Sequence, residues 1–174
     1  MRNLAKRLFV LASLASVLWA VPVVRRTSLA SLETVFERTL RSAGMEILAL
    51  PRGVYLEGYG AVFTADVNLM YTPVISPFRL TIEKPEIATI YQKKIALLPV
   101  LRDRMQVVLL EAGSMLVTVP MQEQITLVVT LGNEQWETTG SLPSQIYMQG
   151  QRAKLVDAKL GKVQISTVIK VQEL

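Results

Sequence analysis

The apolar positions of the chain follow two different periods. From Ser28 to Ala43, Leu29, Leu32, Val35, Phe36, Leu40 and Ala43 recur at three- and four-residue steps, which predicts one amphipathic helix with Glu33, Glu37, Arg38 and Arg41 on its solvated side. Gly44 is placed to stop that helix. Glu46 to Leu50 and Val54 to Glu57 read as two short strands about a Pro51-Arg52-Gly53 turn. Past Gly58-Tyr59-Gly60 the period changes to two. Phe63, Ala65, Val67 and Leu69 face one way and Thr64, Asp66 and Asn68 the other, predicting a half-buried strand of an antiparallel sheet.

Tyr71 to Arg79, punctuated by Pro73 and Pro77, reads as a loop. A long helical stretch follows, with Thr81 or Glu83 near its cap and Pro85 in its first turn. Its apolar positions are Ile87, Ile90, Leu98, Leu101, Met105, Val108, Leu109, Ala112 and Leu116, and Pro99 inside the pattern predicts a kink or two helices meeting there. Val100 to Leu116 is apolar on more than one face and is expected to be the central core helix. Gln124 to Leu131 is a second alternating strand, Gly132 to Leu142 a polar connection, and Pro143 to Gln149 another short strand. Gln151 to Leu160 predicts a short helix ended by Gly161, and alternation from Val163 to Val171 a long C-terminal strand. The expected architecture is α+β, a mostly antiparallel sheet packed on about three helices, preceded by an N-terminal hydrophobic signal or anchor helix. Residues 27–174 form one expected extracytoplasmic domain.

That N-terminal segment comprises residues 1–26. Met1 to Arg7 is positively charged, and Leu8 to Val24 run seventeen residues without a charge. As a helix this run would span about 25 Å, just short of a hydrocarbon core of ~30 Å. Two readings follow. It is either a signal peptide, cleaved where small residues such as Ala20, or Ser28 and Ala30, are suitably placed, or an uncleaved single-span anchor held by residues 8–24. The basic side chains favour a cytoplasmic N-terminus. Both readings place the body in the periplasm or on the periplasmic face of the inner membrane.

The charge balance sharpens this picture. The formal net charge of the 174 residues is +5, from 19 Lys and Arg against 14 Asp and Glu. Arg2, Lys6, Arg7, Arg25 and Arg26 precede every acidic residue, so the body from Thr27 onward is neutral overall. A nucleic-acid surface needs a basic excess to displace counterions, and none is expected here. The chain also has no cysteine and no histidine. Disulfides, thiol nucleophiles and Cys-based zinc sites are thereby excluded, and the commonest general base and metal ligand are missing.

The remaining candidate chemistry is thin. Gly58-Tyr59-Gly60 opens like a dinucleotide-binding turn, but Phe63 and a following strand replace the required glycine and helix, so a tight bend between strands is the better reading. Glu57, Asp66, Glu111 and Glu123 are of the type that works in carboxylate pairs, without a spacing that brings them together. Of these, Glu111 lies in the most apolar helix. There is no Ser-x-x-Lys pair, no nucleophile elbow and no Asp-rich calcium loop. Tyr91-Gln92-Lys93-Lys94 reads as a solvated helix face. Trp136, in a polar loop beside Glu134 and Glu137, is either a lid over the core or an exposed contact residue, and with Tyr71 and Phe78 it forms the candidate interaction surface. No catalytic, cofactor-binding or metal-ligating residue is assigned.

The stretches Gly58-Tyr59-Gly60-Ala61-Val62-Phe63-Thr64-Ala65-Asp66-Val67, Ser76-Pro77-Phe78, Leu98-Pro99-Val100-Leu101, Trp136-Glu137-Thr138-Thr139 and Leu142-Pro143-Ser144-Gln145-Ile146 resemble a group of uncharacterised exported proteins of acidobacterial genomes. The resemblance runs from about Leu29 to Asp157. It implies export in a diderm bacterium and a single domain, and it carries no catalytic or binding residue. The functional expectation is a non-enzymatic exported or membrane-anchored envelope protein that acts by protein–protein interaction, as an accessory or assembly subunit of a membrane-associated complex. The alternative is a periplasmic small-ligand or lipid-binding domain, which would need an apolar cavity on the order of several hundred Å³.

Overall fold

The computed structural model describes residues 24–73, 75–77, 80–137, 140 and 142–174. The predicted signal or anchor helix lies outside these residues, and no helix among the described residues is long and apolar enough to cross a membrane.

The first helical period forms α1, Arg26–Ser42, which buries Leu29, Leu32, Phe36 and Leu40. Gly44 follows its end with a φ of +79°. Next comes β1, Glu46–Leu56, one strand where two were expected. Pro51 does not break it because β1 lies at the edge of the sheet and its pairing shifts register between Ile47 and Ala49 and between Ala49 and Arg52. A bulged edge strand tolerates a residue with no N–H to give the ladder. Glu33 also departs from expectation: it is buried, not solvated. The backbone N–H of Gly53 donates to its Oε1 at 2.6 Å, and Arg26 donates to both carboxylate oxygens at 2.6 and 2.9 Å. Burial pushes the Glu33 carboxyl up, but the bonds from Arg26 and Gly53, with the charges of Arg26 and Arg52, outweigh it and hold it below its ordinary value.

The alternating segment forms β2, Gly60–Asn68, antiparallel to β1. Chain 69–83 then leads to α2, Lys84–Met115, a single helix of 32 residues. The expected break at Pro99 does not occur. Pro99 lies on the exposed side, where water can take the Ile95 carbonyl that a proline cannot satisfy. The buried stripe of α2 is Ile90, Lys94, Leu98, Leu101, Met105, Val108, Leu109 and Ala112. β3, Gln124–Leu131, runs parallel to β2, and β4, Gln145–Gln151, antiparallel to β3.

After α3, Arg152–Lys159, the expected long C-terminal strand is replaced by the single-turn helix α4, Ile165–Val168, and the short β5, Lys170–Glu173, antiparallel to β4. The helical turn lets Val168 be buried in the core cluster, which an extended chain on the outside of β4 would not. The sheet order is β1-β2-β3-β4-β5. The architecture is thus α+β. Three of the four pairings are antiparallel, as the alternation predicts, but the central β2–β3 pair is parallel, so the sheet is mixed. The described residues hold four helices instead of three.

Phe63, Ala65, Val67, Ile125, Leu127, Val129, Ile146 and Met148 project from one sheet face into a single core cluster with the buried faces of α1, α2 and α3. The opposite face carries Thr64, Asp66, Tyr147 and Gln149 and, among the described residues, no helix, the usual compromise of a largely antiparallel sheet. The two ends of the sheet differ. At the upper end, where β2 and β3 finish, lie chain 69–83, the start of α2 and chain 132–144. At the lower end lie the β1–β2 turn, chain 116–123 and the start of α3. A helix the length of α2 is about 48 Å long, whereas a strand the length of β2 spans about 30 Å. The excess stands toward the upper end, where Lys94 of α2 meets Asn133 and Glu137.

Candidate functional site

Because β2 and β3 are parallel neighbours, the chains leaving their carboxyl ends emerge side by side, the position where sheets with parallel strands commonly build their sites. The upper of these, 132–144, is pinned from two directions. The Gly132 N–H donates to the Val67 carbonyl at 2.8 Å, continuing the β2–β3 ladder. Lys94, fully buried on α2, makes an ion pair with Glu137 at 2.5 Å and donates to Asn133 Oδ1 at 3.2 Å. Both charged side chains are almost completely shielded, and the second Glu137 oxygen accepts the Glu134 N–H at 3.2 Å. Lys94 therefore does not belong to a solvated helix face as its sequence neighbours suggest. It occupies the buried stripe between Ile90 and Leu98, and that i, i+4 spacing is the signal that would have found it.

Trp136 sits on this pinned loop, half-buried, with its indole Nε1 enclosed and, among the described residues, without an acceptor. It borders a groove of about 450 Å³ with Ile75, Glu134 and Gln135. Tyr71 and Leu80, on chain 69–83, are 66% and 74% exposed, and Ile75 is exposed between them. The structure thus places Trp136 and Tyr71 at the same end of the sheet. Phe78 lies outside the described residues. Ile75 and Leu80 were not singled out from the sequence, where an apolar residue in a proline-rich loop carries no period to mark it.

The four carboxylates of the candidate chemistry are dispersed. Glu111 pairs with Lys159 of α3 at 2.7 Å on the surface. Asp66 is exposed on the open sheet face and Glu57 at the β1–β2 turn. Glu123, in contrast, is buried at the lower end: its Oε1 accepts from the Tyr55 hydroxyl at 3.1 Å and the Gly58 N–H at 3.3 Å, and its Oε2 has no partner. Beside it Arg152 donates to the carbonyls of Gly113 at 3.1 Å and Val119 at 2.8 Å. Burial lowers the pKa of this guanidinium, whose work is to satisfy carbonyls at and beyond the end of α2. Among the described residues no group of three or more acidic side chains is gathered to hold a metal ion.

Burial, then the hydrogen bond to Glu123 and the charges of Glu123 and Glu57, push the Tyr55 phenol up to about 12. The sign of its effect follows from proton binding. Below a pH of about 10 the phenol is protonated in folded and unfolded chains alike, and its contribution is complete. Above that, the unfolded chain loses the proton first, so stability falls as pH rises toward the folded value. Urea unfolding measured across this range should show a steeper alkaline loss for the native chain than for Tyr55→Phe. Equal slopes would remove Tyr55 from the account.

Grooves at the surface are the other places where a small molecule could sit. Five of them hold about 510, 450, 450, 480 and 210 Å³, and each has at least one charged side chain in its wall: Lys170, Lys93, Glu134, Lys84 and Lys154 respectively. At the upper end, chain 69–83 exposes apolar side chains, and one of them, Ile75, lines a groove with the half-buried Trp136. No protein-family model, no curated protein and no solved structure matches the chain.

Proposed function

We propose that this chain is a non-enzymatic envelope protein, exported or membrane-anchored, that binds another protein as an accessory or assembly subunit of a membrane-associated complex. The observation that carries the reading is the upper end of the sheet. Ile75 lines the groove of Trp136, Tyr71 and Leu80 expose apolar side chains on the same chain 69–83, and a buried ion pair holds the loop that carries Trp136. Rigid aromatic and aliphatic anchors beside a groove are what a protein interface uses for most of its affinity.

Photo-crosslinking in native membranes tests this. A photoreactive residue at Tyr71 or Leu80 should give one discrete heavier species, and the same residue at Asp66 on the open sheet face should give none. Leu80→Glu should abolish the species formed from position 71. Identical labelling at all three positions, or none at any, would sink the assignment of this surface.

A further inference from the structure

The lower end of the sheet also exposes apolar side chains, and its relation to the N-terminal segment gives them a meaning. Helix α1 is joined to β1 by a short turn and runs antiparallel to it, so Arg26 lies at the level where β1 ends. The bond from Gly53 to Glu33, with Arg26 clasping the same carboxylate, fixes that alignment. The chain therefore enters the domain at the lower end. Val24, the last residue of the uncharged run, is itself packed against the core. No linker separates the two: α1 begins two residues past the run, a distance of at most about 7 Å for extended chain.

What surrounds that entry point is suited to an interface between water and lipid. Leu56, the last residue of β1, is 50% exposed, and Val117 and Met121 in chain 116–123 are 67% and 45% exposed. The two segments are tied together, because the Gln124 N–H donates to the Tyr59 carbonyl at 2.8 Å and Gly58 donates to Glu123. Arg25 and Lys154 add exposed cations at this end, against the exposed carboxylate of Glu57. Exposed apolar side chains flanked by basic ones bind a bilayer surface by burying themselves among the headgroups and by attraction to anionic lipid.

We propose that the lower end of this domain, through Leu56, Val117 and Met121, rests on the surface of a lipid bilayer, leaving the upper loops pointing away from it. The proposal rests on residues 8–24 being retained as an anchor. It predicts an orientation that the anchor alone does not require.

The absence of native cysteine makes the test direct. Full-length chains carrying Leu56→Cys, Val117→Cys, Met121→Cys or Leu80→Cys are labelled with an environment-sensitive fluorophore. They are then reconstituted in vesicles of zwitterionic lipid with a minority of anionic lipid and a headgroup-level spin-labelled quencher. Circular dichroism of each labelled chain confirms the fold. The expected result is at least about twofold quenching at positions 56, 117 and 121 and none at position 80, with chains that float with the vesicles. Adding Val117→Glu and Met121→Glu to the Leu56→Cys chain should remove the quenching without preventing flotation. Flotation with unquenched lower positions overturns the surface assignment and leaves the anchor standing. Failure to float overturns both.

Discussion

Replacing Lys94 with methionine is expected to lower the unfolding free energy by about 3–5 kcal/mol, the cost of leaving a buried carboxylate without its counter-charge. Methionine keeps most of the stem that packs between Ile90 and Leu98, so the loss falls on Glu137 and on Asn133, whose side-chain oxygen accepts from the same ammonium. A folded protein is typically stable by only about 5–15 kcal/mol, so the effect takes a large share of the total. The pair is different from its halves. Changing Glu137 to leucine in the same chain should recover much of the loss, since an apolar pair removes both desolvated charges. Urea unfolding of the two single variants and the double variant measures the coupling directly. In a Trp19→Phe background, Trp136 is the one tryptophan and reports the loop itself. Its emission should shift red in Lys94→Met at urea concentrations where the far-ultraviolet signal is still native. A variant as stable as the native chain would mean that the ion pair does not hold loop 132–144 in solution.

The second large effect is expected at Gly60. Its φ is +130°, a conformation that side chains rarely adopt, and a Cβ there would collide with the backbone carbonyl of Gln124. Gly60 pairs with Gln124 at the start of the parallel ladder, so the clash cannot be relieved by rotating a side chain. Gly60→Ala should therefore add overpacking to backbone strain, together about 3 kcal/mol or more. Two residues earlier, Gly58 has a φ of +78°, and a methyl group added there would meet nothing within 4 Å. Gly58→Ala should cost only the left-handed backbone preference, about 1–2 kcal/mol. Thermal unfolding of both variants separates close approach from conformational strain. Equal losses would show that the Gly60 contact yields at little cost.

Much of this fold is legible in the chain because hydrophobic period reports which side of an element faces the core. The stripes of α1 and of the second half of α2, and the alternation of β2 and β3, fall within two residues of the observed elements. The alternation argued for antiparallel pairing throughout, and the parallel β2–β3 pair overturns it: alternation follows from a sheet with one open face, and this sheet keeps that face open while pairing β2 with β3 in parallel. Residue type misleads in a related way. Glu33 and Lys94 carry charges that argue for solvent, and both are buried because a partner elsewhere in the chain completes their bonds. Pro51 and Pro99 read as breaks, yet each stands where the missing N–H matters little. At the candidate site, Trp136 was legible as an unusual loop residue. That it lies at the same end of the sheet as Tyr71 depends on the parallel pairing and could not be read without it.

The central parallel seam also sets an order of assembly. Helix α1 with the β1–β2 hairpin is a local unit, and β3, β4 and α3 form a second one from contacts close in sequence. Joining them requires the whole of residues 69–123 to be spanned before the first β2–β3 bond repays the entropy of closing that loop. A chain made from its N-terminus therefore holds β2 with one free ladder edge until β3 has been synthesised. During that interval the more buried strand of the first unit is open to pairing with another nascent copy. The vulnerable period in the life of this protein is thus its synthesis, and its length is set by α2.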